Sequence, residues 1–228
     1  GNKTITLENG RTFTGPPLDE HGRGEGTLMG PDFEYTGGVK DGKMHGPGVI
    51  KYNNGDVLRG IFENDLVTGE GKRTYPDGDV YEGQFVEGKP HGHGTMVYAD
   101  GDKYEGEWQE GERHGHGRLK EKDCEYIGGW KHGRKHGKAV LKWDDGRRGE
   151  GRYHNGERQG LWSITLANGT KTQHIFNRAE PILSSQFDLD DTFLFTNYQS
   201  GRKFEVNRGV KQFGNFLNKD EKVHGWSQ

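Results

Sequence analysis

Tyr104–Gly117 reads YEGEWQEGERHGHG, and Tyr81–Gly94 reads YEGQFVEGKPHGHG. The two are copies of one pattern, and the pattern continues in both directions. The leading slot is filled by Tyr35, Leu58, Tyr81, Tyr104, Tyr126 and Gly149, at steps of 23, 23, 23, 22 and 23 residues. Two residues on stand Gly37, Gly60, Gly83, Gly106, Gly128 and Gly151. Two beyond those stand Val39, Phe62, Phe85, Trp108, Trp130 and Tyr153. A His-Gly pair follows at His45, His91, His114 and His136, worn to Thr68-Gly69 and Gln159-Gly160. Copies close on Asn54-Gly55, Asp77-Gly78, Asp100-Gly101, Asp145-Gly146 and Asn168-Gly169. A fixed period of this length marks a repeat array, in which each unit buries its apolar face only against its neighbours.

The period inside each copy is two. In Tyr104-Glu105-Gly106-Glu107-Trp108 the rings and the glycine share one face and the glutamates the other. The second half alternates as well: Met96 and Tyr98, Leu141 and Trp143, Ile164 and Leu166 point one way, and Thr95 and Val97, Val140 and Lys142, Ser163 and Thr165 the other. Each copy therefore predicts one β-hairpin, with Asp-Gly and Asn-Gly pairs supplying the positive φ that tight turns require. A glycine between two rings leaves room for a neighbouring ring to lie on the backbone. The expected fold is all-β: an elongated, single-layer twisted sheet of tandem hairpins. At about 4.8 Å per strand, six or seven hairpins would make a rod roughly 60–70 Å long. Its exposed ends would invite pairing, so self-association through an end is an expected property.

Composition agrees. Hydrophobic residues make up only 28% of the 228-residue chain and there are 40 glycines; mean hydropathy is -1.07. A disordered polymer reads this way too, but aromatics at 11% and only 7 prolines argue for a folded chain with a thin ring-built core. Lys and Arg number 32 against 35 Asp and Glu, a balance that argues against nucleic acid as a partner. The single cysteine, Cys124, excludes an internal disulfide framework and fits a reducing compartment. No stretch has the apolar length of a membrane span, and no signal peptide is visible.

The worn copy FTGPPLDEHGRGEG begins at Phe13, and TITLENG (Thr4–Gly10) matches SITLANG (Ser163–Gly169), so the chain opens with half a unit. The repeat spans residues 1–176. Its pattern, YEG-x-W followed by HG-x-G and DG, resembles the MORN repeat. Departures are local: Leu58-Arg59-Gly60 and Gly149-Glu150-Gly151 lack the leading ring, and the Cys124 copy lacks its Asp-Gly, so these units are expected to be less regular. The resemblance implies a non-enzymatic scaffold of a cytoskeletal, ciliary or cortical assembly, cytoplasmic or at a membrane junction. Its partner would be an extended peptide or a helix held along the groove of the array. Matching slots place Tyr81, Phe85, Tyr104, Trp108, Tyr126 and Trp130 on the groove floor. The resemblance also admits two alternatives: a tether to anionic phospholipid, using the basic run from Lys131 to Lys138 with Arg147 and Arg148, or the regulatory arm of a larger enzyme.

Other motifs dissolve on inspection. His91-x-His93 and His114-x-His116 have zinc-like spacing, but the leading histidine is a repeat slot beside a glycine turn. Gly37–Lys43 and Gly83–Lys89 spell GxxxxGK, yet Met44 and Pro90 follow where a phosphate loop needs Ser or Thr, and the context is a hairpin. Asp188, Asp190 and Asp191 lack the glycine and distal glutamate of a calcium loop. Recurring carboxylate pairs such as Glu105 and Glu107 follow strand alternation and carry no acid–base signal. No catalytic residue, metal or cofactor is assigned. Residues 177–228 leave the period: FDLDDTFLFTNYQSGRKFEVNRG reads as two strands around Ser200-Gly201, VKQFGNFLNKDEK is ambiguous between helix and strand, and the whole is expected to be a cap or association segment.

Overall fold

The computed structural model describes residues 1–177 with their side chains and, beyond them, the backbone of Glu180–Phe187, Phe193–Asn197 and Lys203–Val206. The ambiguous segment Val210–Lys222 and the aspartates 188, 190 and 191 lie outside the described residues. The chain divides into two compact units, Gly1–Lys122 and Asp123–Gln228. The first holds β1 (Lys3–Thr6), β2 (Thr12–Gly15), β3 (Arg23–Met29), β4 (Phe33–Lys40), β5 (Lys43–Tyr52), β6 (Val57–Glu63), β7 (Leu66–Thr74), β8 (Val80–Val86), β9 (Lys89–Val97), β10 (Lys103–Gln109) and β11 (Glu112–Lys120). The second holds β12 (Cys124–Lys131), β13 (Arg134–Trp143), β14 (Arg148–His154), β15 (Glu157–Thr165), β16 (Lys171–Asn177), β17 (Glu180–Phe187), β18 (Phe193–Asn197) and β19 (Lys203–Val206). Within each unit every strand pairs antiparallel with the next in sequence. The protein is all-β, as its periodicity predicts. Among the described residues there is no helix, hence none long and apolar enough to cross a membrane.

Two turn chemistries alternate. At one end of each hairpin lies a two-residue turn with both residues at positive φ, as in Glu87-Gly88 (47° and 81°) and Glu110-Gly111 (50° and 84°). That is the primed geometry whose twist matches the flanking strands. At the other end the Asn-Gly and Asp-Gly pairs form wider loops. There the glycine alone is at positive φ, as at Gly101 (96°), and the Asp100 carboxylate accepts the Asp102 N–H at 3.0 Å. The sequence pattern flagged the second kind of turn. It did not flag the first, because Glu87, Glu110 and His132 are not residues that ordinarily signal a left-handed backbone.

The core is one face of the sheet. Tyr81 lies over the backbone of the neighbouring strand, where Gly94 stands directly opposite Gly83. A Cβ on Gly94 would collide with the Tyr81 ring. Gly48 and Gly117 lie in the same way beneath Tyr35 and Tyr104. The ring sits there because the strands are not regular. Between Gly83 and Phe85 the partner strand carries extra residues, His91 to His93, forming a bulge around the left-handed Gly92. Comparable register shifts recur after Gly37, Gly60, Gly106 and Gly128.

Side chains of the repeat bond the backbone at the bulges. The Tyr81 hydroxyl donates to the Gln84 carbonyl at 2.8 Å, as Tyr35, Tyr104 and Tyr126 do to Gly38, Glu107 and Gly129. The His93 N–H donates to the Gln84 side chain at 2.8 Å, and the His116 N–H to Glu107 at 2.9 Å. The His-Gly slot is thus the bulge itself.

Rings then meet edge to face from hairpin to hairpin. In the first unit Tyr81 contacts Phe85 and Trp108 at 5.1 Å each, and Tyr104 contacts Trp108 at 5.2 Å. In the second, Tyr126 meets Trp130 at 5.1 Å and Tyr153 at 5.5 Å, and Tyr153 meets Trp162 at 5.2 Å. The units lacking the leading ring keep the same register and bulge, contrary to the expectation of irregularity. Their vacancy is filled from elsewhere. Trp162 packs on Gly151 and Trp143 on Gly149, and beside Leu58 the Arg73 guanidinium forks onto Asp56. The division between the two units falls at Lys122–Asp123, in the connection that has lost its Asp-Gly turn.

If rings on glycines hold the array, Gly94→Ala costs about 3 kcal/mol by overpacking, and Tyr81→Phe, which removes only the hydroxyl on the bulge, costs about 1 kcal/mol. Urea denaturation of the full chain measures both; a Gly94→Ala chain of unchanged midpoint contradicts the packing.

Candidate functional site

The six ring residues expected on the groove floor are indeed on one face and in mutual contact within each unit, but they are interior. Tyr81, Tyr104 and Tyr126 are 0% exposed, Phe85 1%, Trp130 4% and Trp108 6%. A partner on this face meets what surrounds them.

In the first unit that surround is a second aromatic row, at a slot the sequence pattern aligned with the core face but did not single out. Tyr52, Tyr75 and Tyr98 end successive second strands at the 23-residue period and are half-buried. Register puts Tyr52 opposite the buried Phe33, with ring centroids 6.3 Å apart. The signal that could have found the row is this recurrence, with Tyr where a plain core strand would end on an aliphatic residue. Among the described residues their hydroxyls meet no hydrogen-bond partner.

Around this row lie charges. Arg73 occupies the slot that Met96 and Leu119 fill in later repeats. It places its guanidinium 4.6 Å from the Tyr75 centroid and donates through Nε to Asp56 at 3.0 Å and through Nη2 to the other carboxylate oxygen. Burial is the main cause that pushes the Tyr52, Tyr75 and Tyr98 phenols above their ordinary value. Neighbouring aspartates push the same way, while Arg73 opposes on Tyr52 and Tyr75 and Arg113 on Tyr98. Such phenols donate hydrogen bonds and stack. They are not poised as bases or nucleophiles near neutral pH.

In the slot before each His-Gly pair the first unit presents buried Met44, Val67 and Pro90, then Arg113, 5.7 Å from the Tyr104 centroid. The second unit presents cations there. Lys135 lies 4.9 Å from Tyr126 and 5.9 Å from Tyr153, and Arg158 lies 5.4 Å from Trp162 and 5.3 Å from Phe176. Burial, and then the Arg158 charge, hold the His174 imidazole below its usual range, so it stays neutral at pH 7.

Of the histidines with zinc-like spacing, His91 Nδ1 accepts the Glu110 N–H at 3.5 Å, as His136 at the same repeat slot accepts the Asn155 N–H at 3.3 Å. Among the described residues no three metal-ligating side chains converge. The GxxxxGK spelling at Gly83–Lys89 is strand, turn and strand, with Lys89 Nζ on Glu110 at 3.0 Å.

The model of one protein family, the MORN repeat, matches residues 35–57, 59–80, 81–103, 104–120 and 126–147. The chain is a MORN-repeat protein. The fourth match stops short where the Asp-Gly turn is lost, and the MORN hairpin plan continues beyond the last match through β14, β15 and β16. No curated protein matches the chain. Among solved structures it is similar to the TCP domain of Drosophila melanogaster SAS-4 (dCPAP) in complex with a proline-rich motif of Ana2, at 16% identity and TM-score 0.39, covering 61% of this chain and 85% of that one. It is also similar to the TCP10 domain of Danio rerio CPAP in complex with a peptide of STIL, at 13% identity and TM-score 0.31, covering 91% of this chain and 89% of that one. Scores this low carry no argument about what this MORN array binds.

The phenols also fix an alkaline limit. Burial first, then Asp65 and Glu25, push Tyr35 up to about 12, and Tyr81 and Tyr126 are raised further by burial. A folded-state value above the unfolded one of about 10 means that the stability is whole below pH 10 and is lost as pH rises toward 12 and beyond. Melting temperature against pH, with phenolate absorbance, is expected to be level to about pH 9 and then to fall while the phenolate signal stays suppressed until unfolding.

Proposed function

We propose that this MORN-repeat chain is a non-catalytic scaffold that docks a protein partner, an extended peptide or a helix, along the ring face. The assembly it serves is cytoskeletal, ciliary or cortical, on the cytoplasmic side. The observation that carries the reading is the row Tyr52, Tyr75 and Tyr98: three half-buried phenols, with hydroxyls open among the described residues, on a floor of buried rings.

Successive members of the row are two strands apart, roughly 10 Å. That is about three residues of an extended chain or two turns of a helix, so either can present a side chain to each phenol. Tyrosine suits this role because a large, rigid, amphipathic ring gives contact area at low entropic cost. Beneath it the interior rings are packed against one another, and a preorganised support lowers the ordering cost of association.

The test is selection of displayed random peptides on the full chain, followed by affinity measurement on Tyr75→Ala, Tyr98→Ala and the double variant. The expected outcome is a selected peptide family whose affinity falls about tenfold per ring, while the melting transition stays cooperative. Peptides that bind the double variant as well as the parent sink the reading. Tyr81→Ala serves as the contrast, since removing a floor ring is expected to cost about 3–5 kcal/mol of stability.

A further inference from the structure

On the ring face of the first unit the phenol row is interleaved with carboxylates. Each Asn-Gly or Asp-Gly loop closes with a tyrosine N–H on an aspartate carbonyl: Tyr52 on Asp56 at 2.8 Å, Tyr75 on Asp79 at 2.8 Å and Tyr98 on Asp102 at 2.9 Å. One residue beyond the cross-strand pairs Val57–Thr74 and Val80–Val97, Asp56 stands beside Tyr75 and Asp79 beside Tyr98. Tyr52, Asp56, Tyr75, Asp79, Tyr98 and Asp102 thus line the ends of six neighbouring strands, phenol and carboxylate in turn, at steps of about 4.8 Å.

The charge along this row is negative. Asp56, Asp77 and Asp79 act on the Tyr75 phenol against Arg73, and Asp79, Asp100 and Asp102 act on the Tyr98 phenol against Arg113, three carboxylates to one guanidinium each time. Asp56 is taken: it is buried and holds the fork of Arg73. Asp79 and Asp102 are half-buried and open. The Asp79 carboxylate accepts the Ala99 N–H at 2.8 Å, the Asp102 carboxylate accepts nothing, and neither makes an ion pair among the described residues.

The chain itself shows what fits a ring beside a carboxylate. The Arg73 guanidinium lies 4.6 Å from the Tyr75 centroid while it forks onto Asp56. Arg11 lies 5.2 Å from the Phe33 centroid and donates to Asp65 at 2.7 Å, and Arg147 lies 4.8 Å from the Trp143 centroid and donates to Asp145 at 2.7 Å. A planar guanidinium can stack on a ring and bond a carboxylate at once, which a compact ammonium does less well.

We infer that this row docks a polyproline II segment with two arginines three residues apart, Arg-x-x-Arg, one on Asp79 between Tyr75 and Tyr98 and one on Asp102 beside Tyr98. Spacing and hydrogen bonding select that conformation. The two carboxylates are two strands apart, about 10 Å, and one polyproline II turn of three residues rises about 9.3 Å. A β-strand places same-face side chains about 7 or 13 Å apart. A helix can match the step over two turns, but its carbonyls are bonded within it. A polyproline II backbone has no internal hydrogen bonds, so its carbonyls are free to accept from the open hydroxyls of Tyr75 and Tyr98. This occupant rests on the reading of the ring face as a docking surface and gives that surface a chemistry.

The probe is a fluorescein-labelled peptide, Pro-Pro-Arg-Pro-Pro-Arg-Pro-Pro, titrated with the full chain by anisotropy at about 50 and 200 mM NaCl, beside a peptide of the same composition whose two arginines are adjacent. Expected are saturable binding that weakens with salt, weaker binding of the adjacent-arginine peptide, and a loss of about tenfold or more in Asp79→Asn/Asp102→Asn. That variant keeps its melting temperature, because asparagine still accepts the Ala99 N–H. Glu63→Gln/Glu82→Gln removes the same charge from the opposite face and is expected to leave affinity unchanged. No saturable binding at the lower salt, equal binding of the two peptides, an equal loss in the Glu63/Glu82 variant, or a loss in the Asp79/Asp102 variant that comes only with a lowered melting temperature overturns the inference. So does an Asp79/Asp102 variant of unchanged affinity; if Tyr75→Ala/Tyr98→Ala still weakens the peptide, the ring-face reading stands without it, and if neither variant does, the displayed-peptide selection alone decides that reading.

Discussion

A tyrosine ring laid flat on a cross-strand pair of glycines is the contact on which the rest of this protein depends. A single sheet has no second layer to bury its apolar face, so burial has to be found within the face itself. Glycine makes that possible. With no Cβ at Gly94 the Tyr81 ring reaches the backbone, and with none at Gly83 the opposing strand stays close enough to wall it in. Rings of adjacent hairpins then shield one another edge to face, and side chains such as Tyr104 reach complete burial in a chain with only 28% hydrophobic residues.

The bulge follows from the same contact. A ring flat on the sheet brings its hydroxyl to the backbone a few residues along, and the register shift supplies a carbonyl to meet it. The extra residues of the bulge free an N–H, which the residue under the hydroxyl, Gln84 or Glu107, satisfies with its side chain. In these two repeats tyrosine rather than phenylalanine, Gln or Glu three residues later, and glycine after histidine are thus parts of one device. This explains why worn copies still fold in register: Leu58 and Gly149 lose the ring but keep the glycines and the bulge, and other side chains occupy the space.

A core confined to one face leaves the other free of packing constraint, so its composition can diverge between units. Opposite charges meet across it at Lys72 and Glu82, and cations meet at Arg59 and Lys72 and at Lys142 and Arg148. The two faces also differ in kind. The ring face of the first unit carries half-open phenols beside buried rings, with the Arg73 guanidinium on Tyr75, and the opposite face carries charged side chains.

Period and alternation were enough to determine that this chain is a tandem array of β-hairpins and that the rings and glycines share a face. Those properties are local, set by which residues recur at which step. Local pattern could not determine which rings a partner can touch. Tyr81 and Tyr98 are both tyrosines at repeat slots, and only packing decides that one is sealed by its neighbours and the other half-open. Burial and cross-strand register are sums over neighbouring strands distant in sequence, and so the tertiary structure alone decided where this protein presents its surfaces.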